Sequence, residues 1–199
     1  MIGHPPRAYG PMADDIQRVL ISQEEIETRV LQLGEAISRD YAGLNPLLIG
    51  VLKGVVPFLA DLLRAITIPV EVDYLDIARF RPGAQAQPGA VRLAKDLNAP
   101  IEGRHVLFVE DVIDTGMTLN YLLRNIRTRD PASLEVCTFF NKPVHRLVDI
   151  PLKYKGFDLP DKFVVGYGLD YREKYRNLPF VGLLRAHVIQ NQVTGNSRT

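Results

Sequence analysis

Near the middle of the 199-residue chain, the run Val109-Glu110-Asp111-Val112-Ile113-Asp114-Thr115-Gly116-Met117-Thr118 gathers groups able to do chemistry. Three acids and two threonines crowd what reads as a turn between an apolar strand and a helix. Gly116 permits tight backbone curvature, so that successive N–H groups can converge on an anion. Thr115 and Thr118 add hydroxyl donors, and the following helix offers its positive N-terminal end. This describes a phosphate cradle. It is not a Walker loop, because no Gly-x-x-x-x-Gly-Lys pattern occurs. Glu110 and Asp111 would repel a phosphate, so they make sense if a ribose diol lies between, or if a metal bridges them. The plainer reading is a solvated acidic loop with a helix cap.

Such a turn needs a scaffold, and the flanking residues supply one. Ser22-Gln23-Glu24-Glu25 is a capping box, followed by Ile26, Val30, Leu33 and Ile37 on one helical stripe that should fade before Gly43. Leu47 to Leu52 is a continuous apolar run, as expected for a strand buried on both faces. Pro57 to Ile66 reads as a helix with proline in its first turn, and Pro69 to Ile77 as extended chain. His105 to Val109 is a second buried strand, followed by the polar turn and a helix from about Thr118 to Arg129. Leu134 to Phe140 is a third strand and Phe163 to Tyr167 a fourth. Strands alternating with helices, mostly apolar throughout, predict an α/β domain with a mainly parallel sheet flanked by helices. In such sheets ligands bind at the carboxyl ends of the strands, where the acidic turn falls. The segment 78–90, rich in Arg, Pro, Gly, Gln and Ala, reads as a long mobile loop. The boundaries predicted are a flexible arm over 1–15, one domain over 16–189 and a polar, frayed tail over 190–199.

Composition narrows the function classes. Hydrophobic residues make up 46% and charged residues 24%, ordinary for a globular protein. A chain of this length buries roughly 70% of its unfolded surface and needs neither disulfide nor structural metal to fold. The single cysteine, Cys137, sits in the apolar run Val136-Cys137-Thr138-Phe139-Phe140 and reads as a small core hydrophobe. Twenty-four Lys and Arg against 23 Asp and Glu give +1, too balanced to advertise a nucleic-acid or membrane surface. No apolar run approaches the ~20 residues of a membrane span, and Met1 to Pro11 lacks a signal-peptide core. The expectation is a cytoplasmic protein.

Two hydrophobic residues, two acids, four positions including Asp114, then Thr-Gly-x-Thr resemble the signature of the type I phosphoribosyltransferases. Leu52-Lys53-Gly54, Lys142, and Asp161-Lys162-Phe163-Val164-Val165-Gly166-Tyr167-Gly168-Leu169-Asp170-Tyr171 are similar to the 6-oxopurine, hypoxanthine-guanine branch of that family. The likeness spans roughly residues 15–187. It implies the family's fold, with a small hood built from the chain ends. It also implies transfer of a ribose 5-phosphate from phosphoribosyl pyrophosphate to N9 of a purine, with Mg²⁺ and release of pyrophosphate. Small-molecule substrates, no nucleic acid, no membrane, and a homodimer or homotetramer go with it.

The resemblance also assigns roles. Thr115, Gly116, Met117 and Thr118 would hold the 5-phosphate, while Glu110 and Asp111 would bind the ribose hydroxyls and stand as possible metal ligands. Met117 occupies a position often basic in the family, which costs little if only its N–H is used. Asp114 would be the general base or acid at N7 of the purine, against a plainer role as a helix cap. Lys53, Gly54 and Arg176 would meet pyrophosphate; in the family the peptide before the lysine is cis, a geometry that residue types do not reveal. Lys142, Phe163, Val164 and Asp170 would form the purine end, with Asp170 also the metal ligand. One departure stands out. The family's mobile loop usually carries a Ser-Tyr pair, and Arg79-Phe80 stands in its place here. The competing readings are a transferase for another base, such as xanthine, or an RNA-binding nucleotide sensor on the same fold, suggested by Leu75-Asp76-Ile77.

Overall fold

A computed structural model describes residues 9–79 and 91–190. In chain order the elements are α1 (Pro11–Asp14), β1 (Ile16–Ile21), α2 (Gln23–Asp40), β2 (Leu47–Leu52), α3 (Val56–Ala65), β3 (Glu71–Arg79) and β4 (Val91–Lys95). They continue with β5 (His105–Ile113), α4 (Met117–Arg127), β6 (Ser133–Asn141), β7 (Tyr154–Asp158), β8 (Val164–Val165), β9 (Val181–Leu184) and α5 (Ala186–Gln190). The chain divides into two compact units, one of residues 29–161 and one of the two chain ends, 1–28 with 162–199.

The larger unit holds a six-stranded sheet in the order β4-β3-β2-β5-β6-β7. All neighbours pair in parallel except β4, which lies antiparallel on the β3 edge. The apolar run predicted over Leu47–Leu52 is β2, paired on both sides, so its side chains enter both faces. On one face Leu47, Ile49 and Val51 join Val106, Phe108 and the α4 stripe Leu119, Leu122, Leu123 and Ile126. On the other, α3 packs so closely that a Cβ on Gly50 would meet Leu59 and Val55 at 2.9 Å. Phe58 of α3 stacks against Phe139 of β6 with ring centroids 4.5 Å apart. Gly34 of α2 serves the same end, since a Cβ there would lie 2.5 Å from that of Ala65. Burying a side chain such as Phe58 or Leu62 contributes about 1.5–3 kcal/mol. Cys137 is wholly buried, and burial pushes its thiol far above neutral pH, which fits the core reading.

The chain-end unit holds a three-stranded antiparallel sheet, β1-β9-β8. Ile16, Val165, Leu178, Phe180 and Leu184 form its core. Residues 9–15, expected as part of a flexible arm, are instead tied down. Arg185 donates to the Asp14 carbonyl at 2.8 Å and Tyr175 Oη to Asp15 Oδ2 at 2.7 Å. The rest of that arm, the tail from 191, and the loop expected over 78–90 from Phe80 onward lie outside the described residues.

The capping box is present: Ser22 N–H donates to Glu25 Oε2 at 2.7 Å, and Glu25 N–H to Ser22 Oγ at 3.2 Å. Two strand expectations need correction. The second buried strand does not stop at Val109 but runs to Ile113, because pairing with β6 continues through Glu110↔Thr138, Val112↔Phe140 and Ile113↔Asn141. The fourth strand, expected over Phe163–Tyr167, shrinks to Val164–Val165 and belongs to the antiparallel sheet, since Gly166 and Tyr167 turn left-handed (φ 103° and 47°). No helix among the described residues is long and apolar enough to cross a membrane.

Candidate active site

Three neighbouring parallel strands end on sequence-predicted residues. Lys53 and Gly54 follow β2, Asp114 to Gly116 follow β5, and Lys142 follows β6. Parallel pairing puts these ends on one edge of the sheet, and so the larger unit brings Lys53, the acidic turn and Lys142 together. The Leu52–Lys53 peptide is cis. Lys53 is exposed, Gly54 is buried, and Lys142 is half-buried with its N–H bonded to the Ile113 carbonyl at 2.9 Å.

Gly116 sits at the start of α4 in the left-handed region, φ 82° and ψ −6°, with no side-chain cap. A Cβ at this position would meet the Val148 carbonyl at 3.2 Å, Ile150 Cδ1 at 3.3 Å and Arg146 Cδ at 3.4 Å, so both conformation and space select glycine. The turn is pinned from outside: the Thr115 carbonyl accepts from Leu147 N–H at 2.9 Å and Val148 N–H at 3.3 Å. Its carbonyls are thereby occupied, and the first amides of α4 stand at the positive end of an 11-residue helix. Met117 is 56% exposed, as a position used through its backbone can be. Such a terminus is suited to an anion.

The two acids before the turn differ from the expected picture. Glu110 and Asp111 are strand residues, so their side chains leave opposite faces of β5. Glu110 is buried, and burial, then the neighbouring Asp111 charge, pushes its carboxyl well above the usual carboxylate range. Asp111 is half-buried and accepts the Val112 N–H at 2.8 Å.

Asp114 has a partner that the sequence did not announce. Its Oδ1 lies 2.6 Å from His145 Nδ1, and the other ring nitrogen, Nε2, lies 2.7 Å from Asp161 Oδ1. A neutral imidazole has one N–H only, so carboxylates at both nitrogens select the imidazolium. The hydrogen bond to Asp114 and the charge of Asp161 accordingly raise the His145 pKa. A search for acids, glycines and lysines passes over this histidine. The available signal was a histidine three residues after Lys142, at the end of a strand adjoining the acidic turn.

In the chain-end unit the predicted residues also gather. Phe163 precedes β8, is 45% exposed, and meets Tyr171 edge-on with centroids 5.2 Å apart. Val164 is buried and pairs with Leu183. Asp170 and Arg176 touch each other: Asp170 Oδ1 is 2.9 Å from Arg176 Nη2, while Oδ2 accepts the Glu173 N–H at 2.9 Å. Arg176 Nη1 donates to the Gly168 carbonyl at 2.8 Å. The backbone reaches this geometry through left-handed Arg172, Glu173 and Tyr175.

Comparison with known proteins follows the same lines. The phosphoribosyl transferase domain family matches residues 21–172. A hypoxanthine-guanine phosphoribosyltransferase of Streptococcus agalactiae is 48% identical over 177 residues, covering 89% of this chain and 98% of that protein. The bifunctional protein TilS/HprT of Listeria monocytogenes is 46% identical over 177 residues, but there the chain spans only 27% of the relative's length. A crystal structure of a hypoxanthine phosphoribosyltransferase from Staphylococcus aureus superposes with a TM-score of 0.84 at 40% identity, covering 89% of this chain and 96% of that one. The mainly parallel sheet flanked by helices is thus that of a known architecture, and the chain belongs to the phosphoribosyl transferase domain family.

Proposed function

We propose that this protein is a purine-salvage enzyme that transfers the 5-phosphoribosyl group from phosphoribosyl pyrophosphate to N9 of hypoxanthine or guanine, giving IMP or GMP and pyrophosphate. The observation that carries this reading is the turn at Gly116. A helix start at Gly116, a carboxylate at Asp114 and lysines at the two flanking strand ends share one sheet edge. The amides and hydroxyls of Thr115 to Thr118 hold the 5-phosphate. Lys53 and the bare backbone of Gly54 meet pyrophosphate, a role that Arg176 shares. Glu110 and Asp111 serve the ribose hydroxyls.

As N9 bonds to C1′ and the C1′–oxygen bond breaks, N7 of the purine loses its proton to Asp114. Lys142 donates to the 6-oxygen, Val164 addresses the base through its backbone, and the Phe163 ring stacks on it, a contact contributing about 1–3 kcal/mol. The donors present suit Mg²⁺: Glu110, Asp111 and Asp170 offer hard oxygens. No three metal-binding side chains form a cage among the described residues, and magnesium bound to a phosphorylated substrate needs none. Bound there, the ion would neutralise charge on the leaving pyrophosphate. The near-neutral net charge favours this enzyme over the RNA-binding sensor.

This reading takes 16–189 as one catalytic domain of a cytoplasmic homodimer or homotetramer. The deciding experiment is a panel of hypoxanthine, guanine, xanthine, adenine and uracil with phosphoribosyl pyrophosphate and Mg²⁺, following pyrophosphate release. Turnover of hypoxanthine or guanine supports it. Turnover of uracil alone, or none with any base, refutes it.

A further inference from the structure

Asp114 lies between the acids and the phosphate turn, and among the described residues one of its oxygens, Oδ1, is held. His145, in the 3₁₀ turn Pro143–His145 after β6, takes Oδ1 through Nδ1 and is itself braced by Asp161 through Nε2. All three side chains are partly exposed, at 55% for Asp114, 37% for His145 and 60% for Asp161. Alone, an exposed carboxylate would rotate among its rotamers. Held through one oxygen by a ring clamped at both nitrogens, it presents Oδ2 in a fixed direction. The backbone holds the partners in register: Leu147 and Val148 N–H both bond the Thr115 carbonyl, so His145 cannot drift from the residue next to it.

We propose that His145 is a positioning residue for proton transfer at Asp114, orienting its carboxylate toward the purine proton. This rests on the transferase reading above. The proton balance is simple. N9 donates its lone pair to C1′, the C1′–oxygen pair leaves with pyrophosphate, and the N7 proton passes to Asp114 Oδ2. The N7–H electrons return to the ring. As an imidazolium, His145 donates from both ring nitrogens, so that Asp114 enters each cycle with Oδ1 held and Oδ2 turned to accept. Above its own pKa, His145 loses one of its two N–H donors and the bridge opens at one end.

The charged groups around the ring are Asp114 from the β5–α4 turn, Asp161 from the chain after β7, Lys142 and Arg146 beside it in sequence, and Asp149, whose charge acts on Arg146. Two carboxylates bond the ring directly, which is why its protonated form extends to higher pH than an ordinary histidine's, near 6.5. kcat should therefore fall on the alkaline side as His145 deprotonates.

The test is kcat and KM against pH for wild type, His145→Gln, His145→Arg and Asp161→Asn, with an NMR titration of the His145 ring. His145→Gln should lower kcat about 3- to 30-fold, less than loss of the proton acceptor itself, with KM for phosphoribosyl pyrophosphate nearly unchanged. Its alkaline limb should disappear. His145→Arg restores a permanent cation and should recover most of kcat with no alkaline limb, while Asp161→Asn should move that limb to lower pH. The ring should titrate above 6.5 in wild type and lower in both Asp114→Asn and Asp161→Asn. An active wild type whose His145→Gln variant keeps the same kcat and the same profile overturns the role of His145 alone. An ordinary ring pKa, unmoved by either Asn variant, overturns the bridge. A wild type inactive on every base overturns the transferase reading and this role with it. If His145→Gln does not fold, His145→Arg and Asp161→Asn decide, since both retain polar partners.

Discussion

Gly116→Ala isolates the geometry on which the phosphate turn depends. Two costs add. A residue with a side chain in the left-handed region loses roughly 1–2 kcal/mol. Gly116 is there, at φ 82°. The new Cβ also meets the Val148 carbonyl at 3.2 Å and Ile150 Cδ1 at 3.3 Å, closer than ordinary van der Waals contact. The carbonyl belongs to a segment held by the Thr115 hydrogen bonds, so relief requires the turn itself to shift. Overpacking of this sort costs about 1–3 kcal/mol. The sum, about 2–5 kcal/mol, corresponds to a Tm fall of roughly 4–20 °C in a domain of this size. Gly116→Asn separates the terms, because asparagine adopts the left-handed conformation more readily yet carries the same Cβ. It should recover part of the loss. Differential scanning calorimetry gives the stability change, and initial rates give KM for phosphoribosyl pyrophosphate, which should rise at least tenfold in Gly116→Ala. A Gly116→Ala protein with unchanged Tm and unchanged KM would refute the claim that this turn needs glycine and that its amides bind the substrate phosphate.

Asp114→Asn should lower kcat by about 10²–10⁴-fold, the usual worth of a positioned proton-transfer group, with phosphoribosyl pyrophosphate binding retained in a calorimetric titration. Turnover should require a divalent cation, and Asp170→Ala should raise the Mg²⁺ concentration for half-maximal rate, in part by releasing Arg176 from its 2.9 Å contact; full activity in excess chelator would contradict this. Lys142→Gln should narrow the preference for hypoxanthine over adenine chiefly by slowing the oxopurine, because an ammonium offers donors only and a 6-amino group is itself a donor; kcat/KM for both bases in both proteins measures it. Asp73 is buried and accepts from Lys95 Nζ at 3.0 Å, Tyr74 N–H at 2.7 Å and Asn98 N–H at 2.6 Å. Burial opposes its charge, but these donors outweigh it and hold its pKa below the ordinary carboxylate value of ~3.9. The stability it contributes is therefore present above that pH and lost only as pH falls through the lower folded value. Asp73→Ala should remove about 1–3 kcal/mol, the cost of leaving its donors without an acceptor, read by urea denaturation at pH 7.

The residues alone determined whatever rests on neighbours a few positions apart. The Ser22–Glu25 capping box, the apolar run of β2 and the left-handed freedom of Gly116 are local, and each is found where the sequence put it. The parallel α/β class and a small separate unit built from the chain ends were legible too, the first from alternating buried strands and helices, the second through family resemblance. What the sequence could not express depends on partners distant along the chain. Glu110 and Asp111 read as a turn because acids are poor strand formers, yet pairing with β6 carries β5 past them. Tyr154–Asp158 carries no strand signal in sequence, because Lys155 and Gly156 break the apolar pattern; Gly156 is required because a Cβ would lie 2.3 Å from the Phe139 carbonyl of the adjacent strand. The His145 bridge joins residues 31 positions apart. Nothing in the local chemistry of Pro143-Val144-His145 specifies a carboxylate at either ring nitrogen. Only the sheet, by ending β5 and β6 side by side, brings that imidazole to Asp114.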